Sequence, residues 1–178
     1  MGMTSSWPSQ PPLAADPRYR DRMSRRIAVV TGATGTLGTR LVTMLAAADL
    51  AVVAVSRSGG GPEAGEVAAV AADLASPDSV AAIRDALPPG SLAMAVHAVG
   101  LPASGGVLDV DPSAFAQAVD LKAGGFRRLC DAVMDRVGAG SRIVAVGGHL
   151  GSEPSEHAPL PGVANAALAN LVRQLTGP

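Results

Sequence analysis

Apolar residues along this chain come in two alternating arrangements. In the first they are consecutive, in short runs rich in valine, isoleucine and alanine, over residues 27–30, 51–55, 67–72, 92–98 and 143–146. Such runs suit strands buried on both faces. In the second they recur at helical spacing. Leu37, Leu41, Val42, Leu45 and Ala48 predict a helix over 36–48 with one apolar stripe. Ser76-Pro77 places an N-cap before a proline at the first helical position, so a helix is expected from there to Leu87, where Pro88-Pro89-Gly90 ends it. Asp111-Pro112 repeats that start. Phe115, Val119, Phe126, Leu129 and Val133 then carry a long helix to about Arg136, and the Gly124-Gly125 pair inside it implies close packing against a neighbour. Val163, Ala167, Leu171 and Leu175 mark a final helix.

Strand and helix therefore alternate from end to end, which predicts a parallel sheet with right-handed crossovers and helices on both faces. The fold class expected is α/β, a Rossmann-like doubly wound parallel sheet, truncated after the fifth strand and the helix that follows it. At 178 residues a single domain is expected. Aromatic residues make up only 2% of a chain that is 48% hydrophobic, so the core must be built from Ala, Val and Leu through close helix–sheet approach. Residues 1–25, with Pro8, Pro11, Pro12 and Pro17 among Ser and Arg, lack the apolar centre of a secretion signal and read as a mobile tail, or alternatively as a lid. The domain proper is then 26–178.

Charge and cysteine usage narrow the function classes. A formal net charge of -1 provides no basic field for nucleic acid. No apolar run reaches the roughly 18 to 20 residues of a membrane span. Cys130 is the only cysteine, which excludes an internal disulfide and a cysteine metal cluster, and His97, His149 and His157 are too scattered to form a metal site. A reducing cytoplasm is the location expected from this usage.

The chemistry concentrates where the first apolar run, Ile27 to Val30, passes directly into Gly32, Gly35 and Gly38. Strand before, glycines at Gly-x-x-Gly-x-x-Gly spacing and helix after form a turn that lets backbone approach a pyrophosphate, with the helix N-terminus facing the anion. A merely structural turn is the alternative, and the strand–helix context favours a dinucleotide site.

With these residues the chain resembles the short-chain dehydrogenase/reductase family, and within it the ketoreductase domains of modular polyketide synthases, over about residues 26–175. Thr31 to Gly38 is similar to the ketoreductase phosphate loop, which implies cofactor contacts from Gly32, Thr34, Gly35, Thr36, Leu37 and Gly38. Ser56, Arg57 and Ser58 fall where that group ends its second strand with a basic residue. Asp73 and Leu74 fall where the family's aspartate meets the adenine, and His97-Ala98-Val99-Gly100 resembles the family's Asn-Asn-Ala-Gly segment in its His-Ala-Ala-Gly form, so that Ala98, Val99 and Gly100 join the cofactor site. Arg57 offers a planar cationic fork suited to a 2′-phosphate where an acidic residue would bind a ribose hydroxyl, which favours NADP(H) over NAD(H). A solvated loop arginine is the other reading of Arg57, and a strand-end turn residue that of Asp73. For His97, packing against the phosphate-loop strand is expected rather than proton chemistry.

The catalytic residues that the resemblance implies are absent. Carbonyl reduction in that family requires a tyrosine to deliver a proton, a serine to polarise the carbonyl and a lysine to lower the tyrosine pKa. The only tyrosine is Tyr19, in the tail. Aligning Val144-Ala145-Val146-Gly147-Gly148 with the strand that ends in the serine puts Gly148 at its position; the usual interval then puts Pro161 where tyrosine belongs and Asn165 where a lysine or, in ketoreductases, an asparagine belongs. Neither Gly nor Pro has a side-chain group for proton transfer. Lys122, the only lysine, sits where ketoreductases place theirs and is expected with Asn165 near the nicotinamide ribose; an exposed helix lysine is the alternative.

Two functions compete. One is an NADP(H)-binding protein of this family type without the Ser-Tyr pair, acting as a non-reducing, cofactor-sensing or accessory subunit. The other is an enzyme of the same fold with relocated acid/base chemistry, in which His149 or His157, assisted by Glu153 and Glu156, acts on a small carbonyl or polyketide-like substrate. Those four residues also read as an ordinary exposed loop. In a third reading Tyr19 folds back as donor. The chain stops at Pro178, so either a minimal version or a partner-supplied wall is expected, with a homodimer or partner subunit covering the last helices.

Overall fold

The computed structural model describes residues 25–102 and 105–176. Five strands, β1 (Arg26–Thr31), β2 (Ala51–Ser56), β3 (Val67–Ala71), β4 (Ser91–His97) and β5 (Arg142–Ala145), form one sheet in the order β3-β2-β1-β4-β5. All pairs are parallel. The helices are α1 (Thr36–Ala47), α2 (Ser79–Ala86), α3 (Pro112–Val119), α4 (Gly125–Val133) and α5 (Pro159–Thr176). The order of strands reverses between β1 and β4, and a cleft outside the carboxyl ends of these strands is where such sheets hold ligands.

Both faces of the central strands are covered, which is why these runs lack polar positions. Ile27, Val29, Val53 and Val55 point to one face and pack with Ile83 of α2 and Leu129 and Val133 of α4. Ala28, Val30, Val52 and Ala54 point to the other and pack with Val42 of α1. Each fully buried Val, Leu or Ile contributes about 1.5–3 kcal/mol. A third cluster joins Phe126 and Cys130 of α4 to Leu168 of α5. No helix among the described residues is long and apolar enough to cross a membrane. Tyr19 and almost all of the tail assigned to 1–25 lie outside the described residues, as does Pro178.

Local chemistry moves several boundaries from their expected places. The helix expected from Ser76-Pro77 begins at Ser79, because Ser76 forms a turn: its hydroxyl accepts the Asp78 N–H at 3.2 Å and its carbonyl accepts the Ser79 N–H at 3.2 Å. The last helix begins at Pro159, ahead of its first periodic apolar residue, since the first turn of a helix needs no N–H donor and so tolerates Pro159 and Pro161. At the start of α3 the Asp111 carboxylate does cap the helix, accepting from the Ser113 N–H at 2.7 Å.

The long helix to Arg136 is interrupted. Between α3 and α4 the backbone makes a π-helical turn, Asp120–Gly124, and α4 continues into a 3₁₀ turn, Met134–Arg136. Gly125 packs as the glycine pair implied: a β-carbon there would stand 3.2 Å from Leu74 Cβ and 3.3 Å from His97 Cε1. Gly124 instead makes room for side chains of its own helix, Asp120 and Arg128.

His97 ends β4 and is fully buried, tilted against Phe126 with ring centroids 6.0 Å apart. Its Nδ1 lies 2.8 Å from the Thr31 hydroxyl of β1. Burial, and then the charge of Lys122, hold its pKa down from 6.5 to about 4, while a backbone contact with Lys122 acts in the opposite sense. The folded state therefore resists a proton that the unfolded chain accepts. Stability is full above about pH 6.5 and is lost as the pH falls toward about 4, by about 3 kcal/mol in all. His97→Gln is expected to flatten that slope in urea unfolding at stepped pH; identical profiles for the two proteins would contradict the assignment. In the core, Leu129→Ala is expected to cost roughly 2–5 kcal/mol in the same assay, and Leu175→Ala, at a half-exposed position, about 0.5 kcal/mol or less.

Candidate functional site

The segment after β1 is built around glycines at positions where a side chain has no room. Gly32 has φ +75°, and a β-carbon there would stand 2.9 Å from the carbonyl carbon and oxygen of Ala98, just beyond β4. The turn closes as the Gly35 N–H donates to the Gly32 carbonyl at 3.0 Å. A β-carbon on Gly38 would run into that same carbonyl. The loop is tied laterally as well, by the Ala33 N–H to the Val55 carbonyl at 3.1 Å and the Ala98 N–H to the Thr31 carbonyl at 3.0 Å. Gly35 is the N-cap of α1 and supplies no side-chain acceptor. The first-turn N–H groups of α1 are thus left for a ligand, and an anion is what they and the helix dipole favour.

Beside this turn lies a cleft of about 460 Å³. Gly32, Thr34 and Gly35 form its floor, and Ser56 and Arg57 stand at the end of β2. Leu74, Ala98, Val99 and Gly100 complete the part of the wall that the sequence singles out. Thr36, Leu37, Gly38, Ser58, Asp73 and Lys122 do not line it. Leu37 is 45% exposed, and Gly38 works from behind, against the Gly32 carbonyl. Asp73 is exposed, with one carboxylate oxygen accepting the Ala75 N–H at 3.0 Å in a local turn. The buried Ser56 hydroxyl donates to the Gly60 carbonyl at 2.9 Å, which folds the glycine-rich loop back beside the cleft.

Of five further wall residues, Val55 and Ala72 open the family-like segments 55–58 and 72–74, while Leu101, Pro102 and Leu121 carry no motif of their own. Val55 and Ala72 could have been found as the last residues of strand runs, since ligands sit at the carboxyl ends of such strands. Leu121 has no such signal, because its place depends on the π-turn.

Lys122, in that turn, is 5% exposed and donates from Nζ to the Val99 carbonyl at 2.5 Å. It is not the exposed helix lysine of the alternative reading. Burial lowers its pKa. It acts on the cleft from behind, holding the backbone of a wall residue. Asn165 of α5 is buried, and a β-carbon on Gly148 would stand 2.8 Å from its Nδ2, so the asparagine amide occupies the space beside Gly148. Pro161 is buried in the first turn of α5. His149 and His157 are exposed and form no part of the cleft wall; His157 Nε2 lies 3.3 Å from Glu156 Oε1 at the surface. Among the described residues no group of three or more His, Cys, Asp or Glu is arranged to hold a metal ion.

The cradle fits the pyrophosphate of a dinucleotide: glycines with no room for side chains lead into a helix N-terminus that has no side-chain cap. The family model described as short chain dehydrogenase matches residues 26–177. Among solved structures, a carbonyl reductase from Pseudomonas aeruginosa PAO1 is 26% identical, with TM-score 0.73 over 86% of this chain and 74% of that one. A short-chain dehydrogenase/reductase from Burkholderia vietnamiensis is also 26% identical, with TM-score 0.71 over 85% of this chain and 76% of that one. A doubly substituted short-chain dehydrogenase/reductase from Serratia marcescens, 22% identical with TM-score 0.75 over 86% of this chain and 72% of that one, shares the fold. Among curated proteins none matches the sequence. Motif, topology and family model agree, and the chain belongs to the short-chain dehydrogenase/reductase family, whose members bind nicotinamide dinucleotides.

Proposed function

We propose that this protein is an NADP(H)-binding, ketoreductase-like member of the family that lacks the Ser-Tyr pair and acts as a non-reducing, cofactor-sensing or accessory subunit. Gly32, Thr34 and Gly35 hold the pyrophosphate, Arg57 meets the 2′-phosphate, Leu74 flanks the adenine, and Val99 and Gly100, backed by Lys122, lie toward the nicotinamide. A bound dinucleotide supplies hydride chemistry, but carbonyl reduction also needs a proton donor and an oxyanion partner. The observation that carries the reading is the pair Gly148 and Pro161. One has no side chain and faces the Asn165 amide, and the other is a buried ring with no polar atom. Exposed Val163 and Leu175 on α5 support a second copy or a partner subunit covering that helix.

Calorimetric titration with NADPH and NADH, followed by NADPH consumption over a panel of carbonyl compounds, tests the proposal. Binding of NADPH without turnover is expected. Turnover that disappears in His149→Ala or His157→Ala would establish relocated chemistry instead, and no binding of either dinucleotide would remove the cofactor reading. Arg57→Ala is expected to weaken NADPH about tenfold or more while leaving NADH nearly unchanged, as a lost charge-assisted phosphate contact requires. Gly32→Ala is expected to abolish binding of both, because its φ and the Ala98 backbone leave no place for a methyl group.

A further inference from the structure

Two walls of the cleft, Leu74 after β3 and Leu121 in the π-turn, belong to segments with no strand or regular α-helix to hold them in place. One side chain joins them. Arg128 of α4 donates from Nη1 to the Leu74 carbonyl at 2.7 Å, and its Nη2 pairs with Asp120 Oδ1 at 2.8 Å at the start of the π-turn, next to Leu121. The guanidinium is well shielded, with 19% of the Arg128 side chain exposed.

The intervening backbone is shaped to allow this. In a regular α-helix residues eight apart are rotated away from each other by roughly 80°, and the wider π-turn absorbs that offset so that Arg128 can reach back to Asp120. A β-carbon on Gly124 would run into the Asp120 carboxylate and stand 3.1 Å from Arg128 Nη1, so the pair needs glycine between its members. Gly125 next to it lets Leu74 pack onto the helix, its missing β-carbon leaving 3.2 Å to Leu74 Cβ. A planar fork can serve a carbonyl and a carboxylate at once, which a lysine cannot do with the same geometry.

We infer that Arg128 is a positioning residue for the adenine end of the cleft: through the Leu74 carbonyl and Asp120 it sets the spacing between the Leu74 and Leu121 walls. This rests on the cofactor reading proposed above. Affinity for NADPH and for adenosine 2′,5′-bisphosphate, which carries only the adenine half, is measured by calorimetry for the wild-type chain, Arg128→Met, Arg128→Lys and Gly124→Ala, with thermal melting alongside. Both ligands are expected to weaken by about tenfold, and by the same factor, in Arg128→Met and Gly124→Ala, with Arg128→Lys failing to restore them. Gly124→Ala matters because alanine favours the helix and Asp120 can swing aside, so its melting temperature is expected not to fall while the pair is lost. Unchanged affinities in Gly124→Ala, or a loss confined to NADPH and absent from the bisphosphate, would overturn the inference. A wild-type chain that binds neither NADPH nor NADH would remove the cofactor reading itself, and this inference with it.

Discussion

Everything at the ligand end of this molecule depends on how closely the turn after β1 approaches the backbone after β4. Gly32 leaves 2.9 Å between its absent β-carbon and the Ala98 carbonyl, and Gly38 rests on the Gly32 carbonyl from the helix side. No L-residue with a side chain satisfies the first of these, both because of the distance and because of the positive φ. Once the turn is held there, α1 starts with its amides bare and the cleft opens between the ends of β1, β2 and β4. The strands beneath are anchored by burial on both faces, so the turn is mounted on the least deformable part of the fold.

On the opposite wall buried polar groups take over from glycines. His97 ties β4 to β1 through Thr31, and Lys122 ties the π-turn to Val99. Burial lowers the pKa of both, and at His97 the charge of Lys122 adds to the effect. His97 makes its contact with a side-chain hydroxyl and Lys122 with a backbone carbonyl. In the proposed reading proton transfer would need other groups, and Gly148 and Pro161 stand at the positions aligned with the family's serine and tyrosine. On the reading proposed above, a well-formed cofactor cradle coexists with a reaction centre that has no hydroxyl of its own.

The fold was readable in the sequence because each of its causes is local or periodic. Runs such as Val52 to Val55 are apolar throughout since both faces of β2 are covered, and the glycine spacing reports backbone constraints directly. What escaped is what depends on contacts between distant segments. The π-turn leaves no mark in apolar spacing, since Phe115, Val119, Phe126 and Leu129 read as one helix; Gly124-Gly125 was its only sign, and the Asp120–Arg128 pair that explains Gly124 joins side chains common on any helix surface. Leu121 of the cleft wall was hidden for the same reason. The early start of α5 was hidden because Pro159 and Pro161 look like loop residues until the tolerance of a first helical turn is considered. In the other direction, Thr36, Leu37 and Gly38 belong to the loop motif yet do not line the cleft: a motif records what the turn needs to form as well as what touches a ligand.

A crystal structure of the chain grown with NADPH tests most directly the coexistence of an intact cradle with an absent proton donor. It should show the pyrophosphate over Gly32 and Gly35, the 2′-phosphate at Arg57, and C4 of the nicotinamide facing Gly148 and Asn165 with no protein hydroxyl or imidazole within hydrogen-bond reach of a carbonyl placed there. A dinucleotide seated elsewhere, or a tyrosine, serine or histidine side chain brought against C4, would contradict it.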